Sequence, residues 1–152
     1  MIYFYCYLSS CFFAYLASRS KDKGMIILYS VISVLITATL AGLRHYTIGT
    51  DTNGYGMRHC MTALSSPNLA AFLEVAQIKE VGYGVLVYFV MNIFGHQNWV
   101  FFSWSLITVG CFYVGAYKHR KVMPLWFTMF LFYLIWYQYS YNAIRQSIAA
   151  AI

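Results

Sequence analysis

The densest group of polar side chains lies in residues 42–55, Gly-Leu-Arg-His-Tyr-Thr-Ile-Gly-Thr-Asp-Thr-Asn-Gly-Tyr, directly after a long apolar run. The glycines and the asparagine favour turns, so this loop can hold Arg44 and Asp51 close together. A guanidinium matches phosphate oxygens bidentately, and a carboxylate beside it can accept a proton from an attacking hydroxyl. The segment therefore fits phosphate binding with base catalysis. The simpler alternative is an interfacial arginine followed by an ordinary turn.

Two further groups contain residues that are suited to chemistry. Arg145 and Gln146 lie among apolar residues, and an ionisable residue at membrane depth is a functional candidate unless it only pairs with a structural carboxylate. Glu80 and Tyr83 begin a short apolar segment, where an interfacial anchor is the simplest interpretation. The histidines and cysteines show no metal-ligand spacing, and no nucleotide loop or Ser/His/Asp pattern occurs. The sequence thus indicates no cofactor.

The composition predicts an integral membrane protein. Of the 152 residues, 61% are hydrophobic and only 9% are charged, whereas soluble domains carry about 25% charged residues. Most of the net charge of +6 comes from two basic clusters, at residues 19–23 and 118–121, each beside an apolar run. Such clusters are typical of cytoplasmic loops, so the lipid bilayer is the expected partner and nucleic acid is not.

The apolar runs predict an all-α fold in a single membrane domain, residues 1–152. A bilayer core of about 30 Å requires roughly 20 helical residues, with about 17 as the lower limit. Segment 67–78 has apolar residues at helical spacing, which predicts an amphipathic helix either on the membrane surface or packed on the spans. The predicted elements are four full spans at about 1–17, 25–43, 99–117 and 124–141, a short membrane helix at 81–95 and this helix at 67–78.

The distribution of Lys and Arg predicts the orientation. Segment 81–95 holds about 15 residues, roughly 22 Å of helix, which is too short for a full crossing. If it returns to the side from which it entered, both basic clusters face the cytoplasm and residues 44–80 face outward, as the positive-inside rule requires. The alternative has every apolar segment crossing from a cytoplasmic N-terminus, which places Arg44 in the cytoplasm.

Three motifs in this order resemble the EpsG family of exopolysaccharide polymerases, which is related to Wzy-type O-antigen polymerases. The first is an Arg-x-aromatic-x-Ile-Gly-Thr-Asp-x-x-x-Tyr string, the second is Glu-x-Gly-Tyr before an apolar stretch, and the third is Ile-Arg-Gln-x-Ile-Ala. The matching residues are Arg44, Tyr46, Ile48, Gly49, Thr50, Asp51, Tyr55, Glu80, Gly82, Tyr83, Ile144, Arg145, Gln146, Ile148 and Ala149. The later spans and His-containing motifs of the family are absent. We therefore expect the N-terminal portion of a longer polymerase, inactive by itself.

The resemblance implies a multi-pass glycosyltransferase of the bacterial cytoplasmic membrane. Its substrate would be an undecaprenyl-diphosphate-linked oligosaccharide, extended at the outer face alongside other polysaccharide export proteins. Under this hypothesis Arg44 and Arg145 stabilise the departing diphosphate and Asp51 is the base. Two other classes stay open, a polysaccharide or lipid transporter and a noncatalytic membrane subunit. The residues expected to contact substrate are Tyr46, Thr50, Tyr55, Glu80, Tyr83 and Gln146.

Overall fold

The computed structural model describes residues 2–44, 56–78 and 80–137, and within these ranges it contains helices and no strand, as predicted. The helices are α1 (Ile2–Arg19), α2 (Lys23–Leu43), α3 (Met57–Ser65), α4 (Leu69–Val75), α5 (Val81–Phe94), α6 (Gln97–Lys118) and α7 (Leu125–Phe132), which continues as a π-helix over Tyr133–Tyr137.

Helices α1 and α2 form a tight antiparallel hairpin. Asp22 is the N-cap of α2, and its carboxylate accepts a hydrogen bond of 3.2 Å from the backbone N–H of Met25. Deeper in the pair, the Ser10 and Ser33 hydroxyls lie 3.0 Å apart, and each donates to the other residue's backbone carbonyl. Small side chains at this contact let the two helices approach closely, as in packed membrane helices.

Helices α2 and α6 are antiparallel, as contacts at both ends demonstrate. At one end, a Cβ placed on Gly42 would lie 3.0 Å from Phe102 Cβ. At the other end, the Tyr113 hydroxyl donates to Ser30 Oγ at 3.0 Å. The two basic clusters therefore lie at the same end of the helix bundle, and Arg44 lies at the opposite end. The chain between α2 and α6 leaves and returns at the Arg44 end.

The short helix predicted at 81–95 is confirmed as α5, which pairs with the first half of α6. Near its start, the Tyr83 ring stacks on Trp104 with centroids 4.8 Å apart. At its end, Phe94 stacks on Trp99, also at 4.8 Å, and Gly95 closes the helix with a φ of 68°. Helix α5 thus runs toward the Arg44 end. Because the chain that follows α2 returns to the Arg44 end, α6 begins at the end where α2 finishes and runs in the opposite direction.

The π-helix places buried tyrosines between helices α1, α2 and α6. The Tyr133 hydroxyl lies 2.7 Å from Ser10 Oγ, and Tyr133 is fully buried. The Tyr137 hydroxyl donates to the Thr37 carbonyl at 2.7 Å and lies 2.6 Å from Ser105 Oγ. These bonds connect the end of the described chain to α1, α2 and α6.

The amphipathic helix expected at 67–78 is shorter, and its apolar face packs against the protein. It covers Leu69–Val75 and is capped by Asn68, whose side chain accepts from the Ala71 N–H at 2.9 Å. Phe72 has no exposed surface and packs on Tyr88 of α5, with ring centroids 5.8 Å apart. This contact favours packing on the protein's own spans, one of the two arrangements that the sequence left open. Helix α3, just before it, was not predicted at all.

Two described helices, α2 and α6, are long and apolar enough to cross a membrane, and they match the spans predicted at 25–43 and 99–117. Helix α1 is confirmed as a helix, and Leu125–Tyr137 is a shorter apolar helix. The span predicted at 124–141 extends past the described residues, so a set of four full spans stays a prediction. Large apolar side chains cover the outer faces, as a lipid environment permits. Among them are Phe12, Ile27, Val31, Phe89, Ile93 and Ile135.

Candidate functional site

Arg44, at the C-terminal end of α2, is buried. Only 6% of its surface is exposed, and its guanidinium carbon lies 4.9 Å from the centroid of the Phe101 ring of α6. An arginine that merely reached into the interface would be largely exposed. Desolvating a cation is costly unless other groups compensate, and an aromatic face supplies part of that compensation. The structure therefore argues against the anchor alternative for Arg44.

A row of aromatic rings connects Arg44 to Tyr83. Phe101 and Trp104 lie one turn apart on α6, with ring centroids 6.2 Å apart, and both are buried. Trp104 in turn stacks on Tyr83. Two residues singled out from separate sequence motifs thus belong to one buried cluster. Neither Phe101 nor Trp104 was predicted as part of a site.

His59 of α3 completes the row. Its Nδ1 lies 2.9 Å from the Tyr83 hydroxyl, and both side chains are buried. This bond orients the tyrosine ring and fixes α3 against the start of α5. In the sequence His59 was considered only as a metal ligand and dismissed, because nothing in its spacing indicates a partner 24 residues away.

Cys60, the neighbour of His59, is a structural residue. Its side chain is buried, and burial raises the pKa of the thiol from 9.0 to about 12. A thiol with this pKa stays protonated at neutral pH, and nucleophilic chemistry requires the thiolate. Among the described residues, no three His, Cys, Asp or Glu side chains come together as a metal site.

Glu80 directly precedes the helix that carries Tyr83. It is the N-cap residue of α5 and is exposed, and its backbone carbonyl accepts from the Gly84 N–H at 3.1 Å. Its position is one helical turn before Tyr83, so the two residues of the second motif are neighbours on α5. Six other predicted site residues lie outside the described residues: Tyr46, Thr50, Asp51, Tyr55, Arg145 and Gln146.

A cavity of about 510 Å³ lies between the end of α2 and the start of α6; its lining includes Leu43, the chain neighbour of Arg44, but not Arg44 itself. Its volume is in the range of small-molecule sites, about 300–1,000 Å³. His96 caps α6 through Nδ1, which accepts from the Asn98 N–H at 3.3 Å, so the neutral ring carries its proton on Nε2. The lining is mostly apolar with a few polar groups, from Thr39, Gly42, Leu43, His96, Asn98, Trp99 and Phe102.

The apolar helices, the lipid-compatible outer faces and the buried arginine define a helical membrane protein with a polar site at one end of its bundle. A scan against protein-family models matched the EpsG family over residues 27–152. The chain belongs to the EpsG family, as its three motifs indicated. Searches of curated proteins and of solved structures returned no match.

Proposed function

We propose that the chain forms part of a polymerase that extends an exopolysaccharide from undecaprenyl-diphosphate-linked repeats. One observation carries this proposal: the buried Arg44 shares an aromatic cluster with Tyr83, at the end of the bundle opposite both basic loops. The EpsG family membership supports the same role, because the family is associated with exopolysaccharide synthesis.

The membrane orientation that goes with this proposal places the Arg44 end outside. The end that carries residues 19–23 and 118–121 holds six Lys and Arg residues, and positive residues favour the cytoplasmic side. The antiparallel contact between α2 and α6 is consistent with this orientation, since it brings both clusters to one end. The membrane would be the bacterial cytoplasmic membrane.

The proposed reaction is a glycosyl transfer. A hydroxyl oxygen of the acceptor sugar attacks the anomeric carbon of the growing glycan, and the bond from that carbon to the diphosphate oxygen breaks. The diphosphate leaves on its lipid, and the hydroxyl proton passes to a base. Arg44 stabilises the negative charge that develops on the diphosphate. Asp51 is the proposed base and Arg145 the proposed second cation.

The cavity between α2 and α6 suits the lipid portion of such a substrate. Leu43 and Gly42 line the cavity and directly precede Arg44 in the chain. A diphosphate at Arg44 would therefore have an apolar wall within reach of its first isoprenoid units. Trp99 and Phe102 supply most of this wall on the α6 side.

The proposal is tested by reconstituting the full-length protein in vesicles with defined lipid-linked repeats. Formation of polymer supports the enzyme. Passage of the repeat across the bilayer without polymer would instead support a transporter. If correctly inserted protein shows neither activity, the result would support the third class, a noncatalytic membrane subunit.

A shared site for the two arginines is tested by disulfide cross-linking of the full-length protein with single cysteines at positions 44 and 145. Native Cys11, Cys60, Cys6 and Cys111 would first be replaced by Ala or Ser. A disulfide requires Cα atoms within about 7 Å, so longer bifunctional linkers extend the range. Efficient linkage by a linker of about 10 Å supports a common site, because that reach is comparable with a diphosphate held between two guanidinium groups. A second variant carries cysteines at positions 23 and 145. Efficient linkage in that variant, and none between positions 44 and 145, would contradict a common site.

A further inference from the structure

Trp104 has a buried hydrogen-bond donor that no described residue satisfies. Only 3% of the residue is exposed, and its indole Nε1–H has no acceptor within the described part of the chain. A buried tryptophan N–H nearly always has a partner, because water is no longer there to accept its hydrogen bond. Such a donor in the middle of a functional cluster requires an explanation.

The surroundings of Trp104 restrict how its ring can move. Tyr83 stacks on it at 4.8 Å with an interplanar angle of 23°, and Phe101 lies 6.2 Å away. The Tyr83 ring is itself held by the bond from its hydroxyl to His59. Because these neighbours hold the indole plane, the N–H direction is restricted to that plane.

The chemistry near Trp104 selects the class of ligand. An indole N–H can only donate a hydrogen bond, and so can the guanidinium of Arg44, which lies over the adjacent Phe101 ring. A sugar hydroxyl can also accept a hydrogen bond but carries no charge to pair with a guanidinium, whereas an ionised phosphate offers both several acceptor oxygens and negative charge. Two donor-only groups on one aromatic row therefore fit a group with several acceptor oxygens and a negative charge.

We propose that Trp104 is a substrate-binding residue whose Nε1–H donates a hydrogen bond to a phosphate oxygen of the lipid diphosphate. This inference rests on the proposed function and adds a residue to it that lies in none of the three sequence motifs. Arg44 supplies the charge, and Trp104 supplies a neutral donor in a fixed direction. Together they hold the diphosphate at the outer end of α6.

The test uses Trp104→Phe in the full-length protein, which keeps one aromatic ring and removes the donor together with the pyrrole ring that carries it. Undecaprenyl diphosphate is the probe, and undecaprenol, which has no phosphate, is the comparison lipid. We expect the Kd for the diphosphate to rise about tenfold, as for a lost hydrogen bond to a charged group, and the Kd for undecaprenol to stay the same. The matched control is Trp126→Phe on α7, where the side chain is 41% exposed and both Kd values should be unchanged.

Thermal unfolding measures the packing change separately from the ligand contact. Trp104→Phe removes part of a buried, stacked ring, so Tm should fall whether or not the donor binds a ligand. An unchanged Kd for the diphosphate, whatever happens to Tm, overturns the inference. If Kd and Tm both change, the indole ¹⁵N–¹H resonance that this variant removes decides. In the wild-type protein, a downfield shift on adding undecaprenyl diphosphate supports the hydrogen bond, and no shift overturns it.

The same measurements distinguish this inference from the function on which it rests. If the wild-type protein binds undecaprenyl diphosphate and Trp104→Phe binds it equally well, only the role of Trp104 fails. If the wild-type protein itself does not bind the lipid diphosphate, the proposed function fails and the inference fails with it.

Discussion

Replacing Gly42 by Ala should destabilise the protein, because α2 and α6 are closest at this residue. The added Cβ would lie 3.0 Å from Phe102 Cβ and 3.3 Å from the Asn98 carbonyl oxygen. Both are atoms at or next to the backbone, so they move only if the helix moves. Overpacking of this kind costs about 1–3 kcal/mol. The gain in helix propensity, at most about 1 kcal/mol, is reduced near the end of α2.

The matched control is Gly115→Ala, near the C-terminal end of α6. A Cβ at Gly115 would meet no heavy atom of a neighbouring element within 4 Å among the described residues, so this substitution should be neutral or slightly stabilising. Thermal unfolding of the two variants in the same detergent measures the difference. For a chain of this size each kcal/mol corresponds to roughly 2–4 °C in Tm.

Binding of undecaprenyl diphosphate provides a second measurement on the same variants. Arg44 follows Gly42 by two residues, so a displacement of the α2 end would also move its guanidinium. We expect Gly42→Ala to weaken binding and Gly115→Ala to leave it unchanged. Equal Tm values for both variants would refute the close approach of α2 and α6, and with it the antiparallel arrangement at this end.

Three further predictions concern topology, thiol reactivity and a buried hydroxyl. Reporter fusions after Lys23 and after Lys121 should both report cytoplasm, and opposite results would mean that 81–95 crosses fully. Burial raises the pKa of Cys60 to about 12, so alkylation of the folded protein should stay slow at pH 9 and become fast on unfolding. Rapid labelling of the folded protein would contradict this prediction, because it would show that Cys60 is accessible. Folding favours the protonated thiol, so the contribution of Cys60 to stability is complete below about pH 8.5 and decreases above it. Tyr137→Phe should lower stability by about 1 kcal/mol, since it removes a hydroxyl bonded to two other helices. The control Tyr5→Phe, at an exposed residue, should not lower stability. Equal melting curves for the two variants would contradict the hydrogen bonds assigned to the Tyr137 hydroxyl.

The long helices could be predicted because lipid requires long apolar runs with charged ends. Helix α2 was predicted at 25–43 and begins at Lys23, while α6 was predicted at 99–117 and covers Gln97–Lys118. Helix α5 ends one residue before its predicted limit, at the turn formed by Gly95. In each case the boundary residue is charged, polar or glycine, which makes it visible in the sequence.

Helix α3 was not predicted, because its buried face is narrow, consists of small residues and includes a polar histidine. The residues that it buries are His59, Cys60 and Ala63. A polar histidine is tolerated in the interior when its ring nitrogen is hydrogen-bonded, as His59 is to the Tyr83 hydroxyl. That partner is brought close by the path of the whole 56–83 segment, which local periodicity does not reveal.

The candidate site could be predicted only where a motif marked it. Arg44 and Tyr83 belong to motifs and lie in one cluster, whereas Phe101 and Trp104 are two rings in a chain that is 20% aromatic. Nothing in the sequence separates a ring that contacts Arg44 from one that faces lipid. Only the packing of α2 against α6 makes that distinction.

The central claim is that Arg44 binds the diphosphate of a lipid-linked substrate, and polymer synthesis by Arg44→Lys in the reconstituted full-length protein tests it most directly. Lysine keeps the charge and loses the planar pair of donors, so the rate should fall by about 100-fold or more. Arg120→Lys is the matched control, since Arg120 also lies over an aromatic ring, that of Tyr117 at 3.9 Å, but is exposed at the opposite end of the bundle. The account predicts normal polymer from Arg120→Lys and very little from Arg44→Lys. Equal rates from both variants, at equal protein levels, would contradict it.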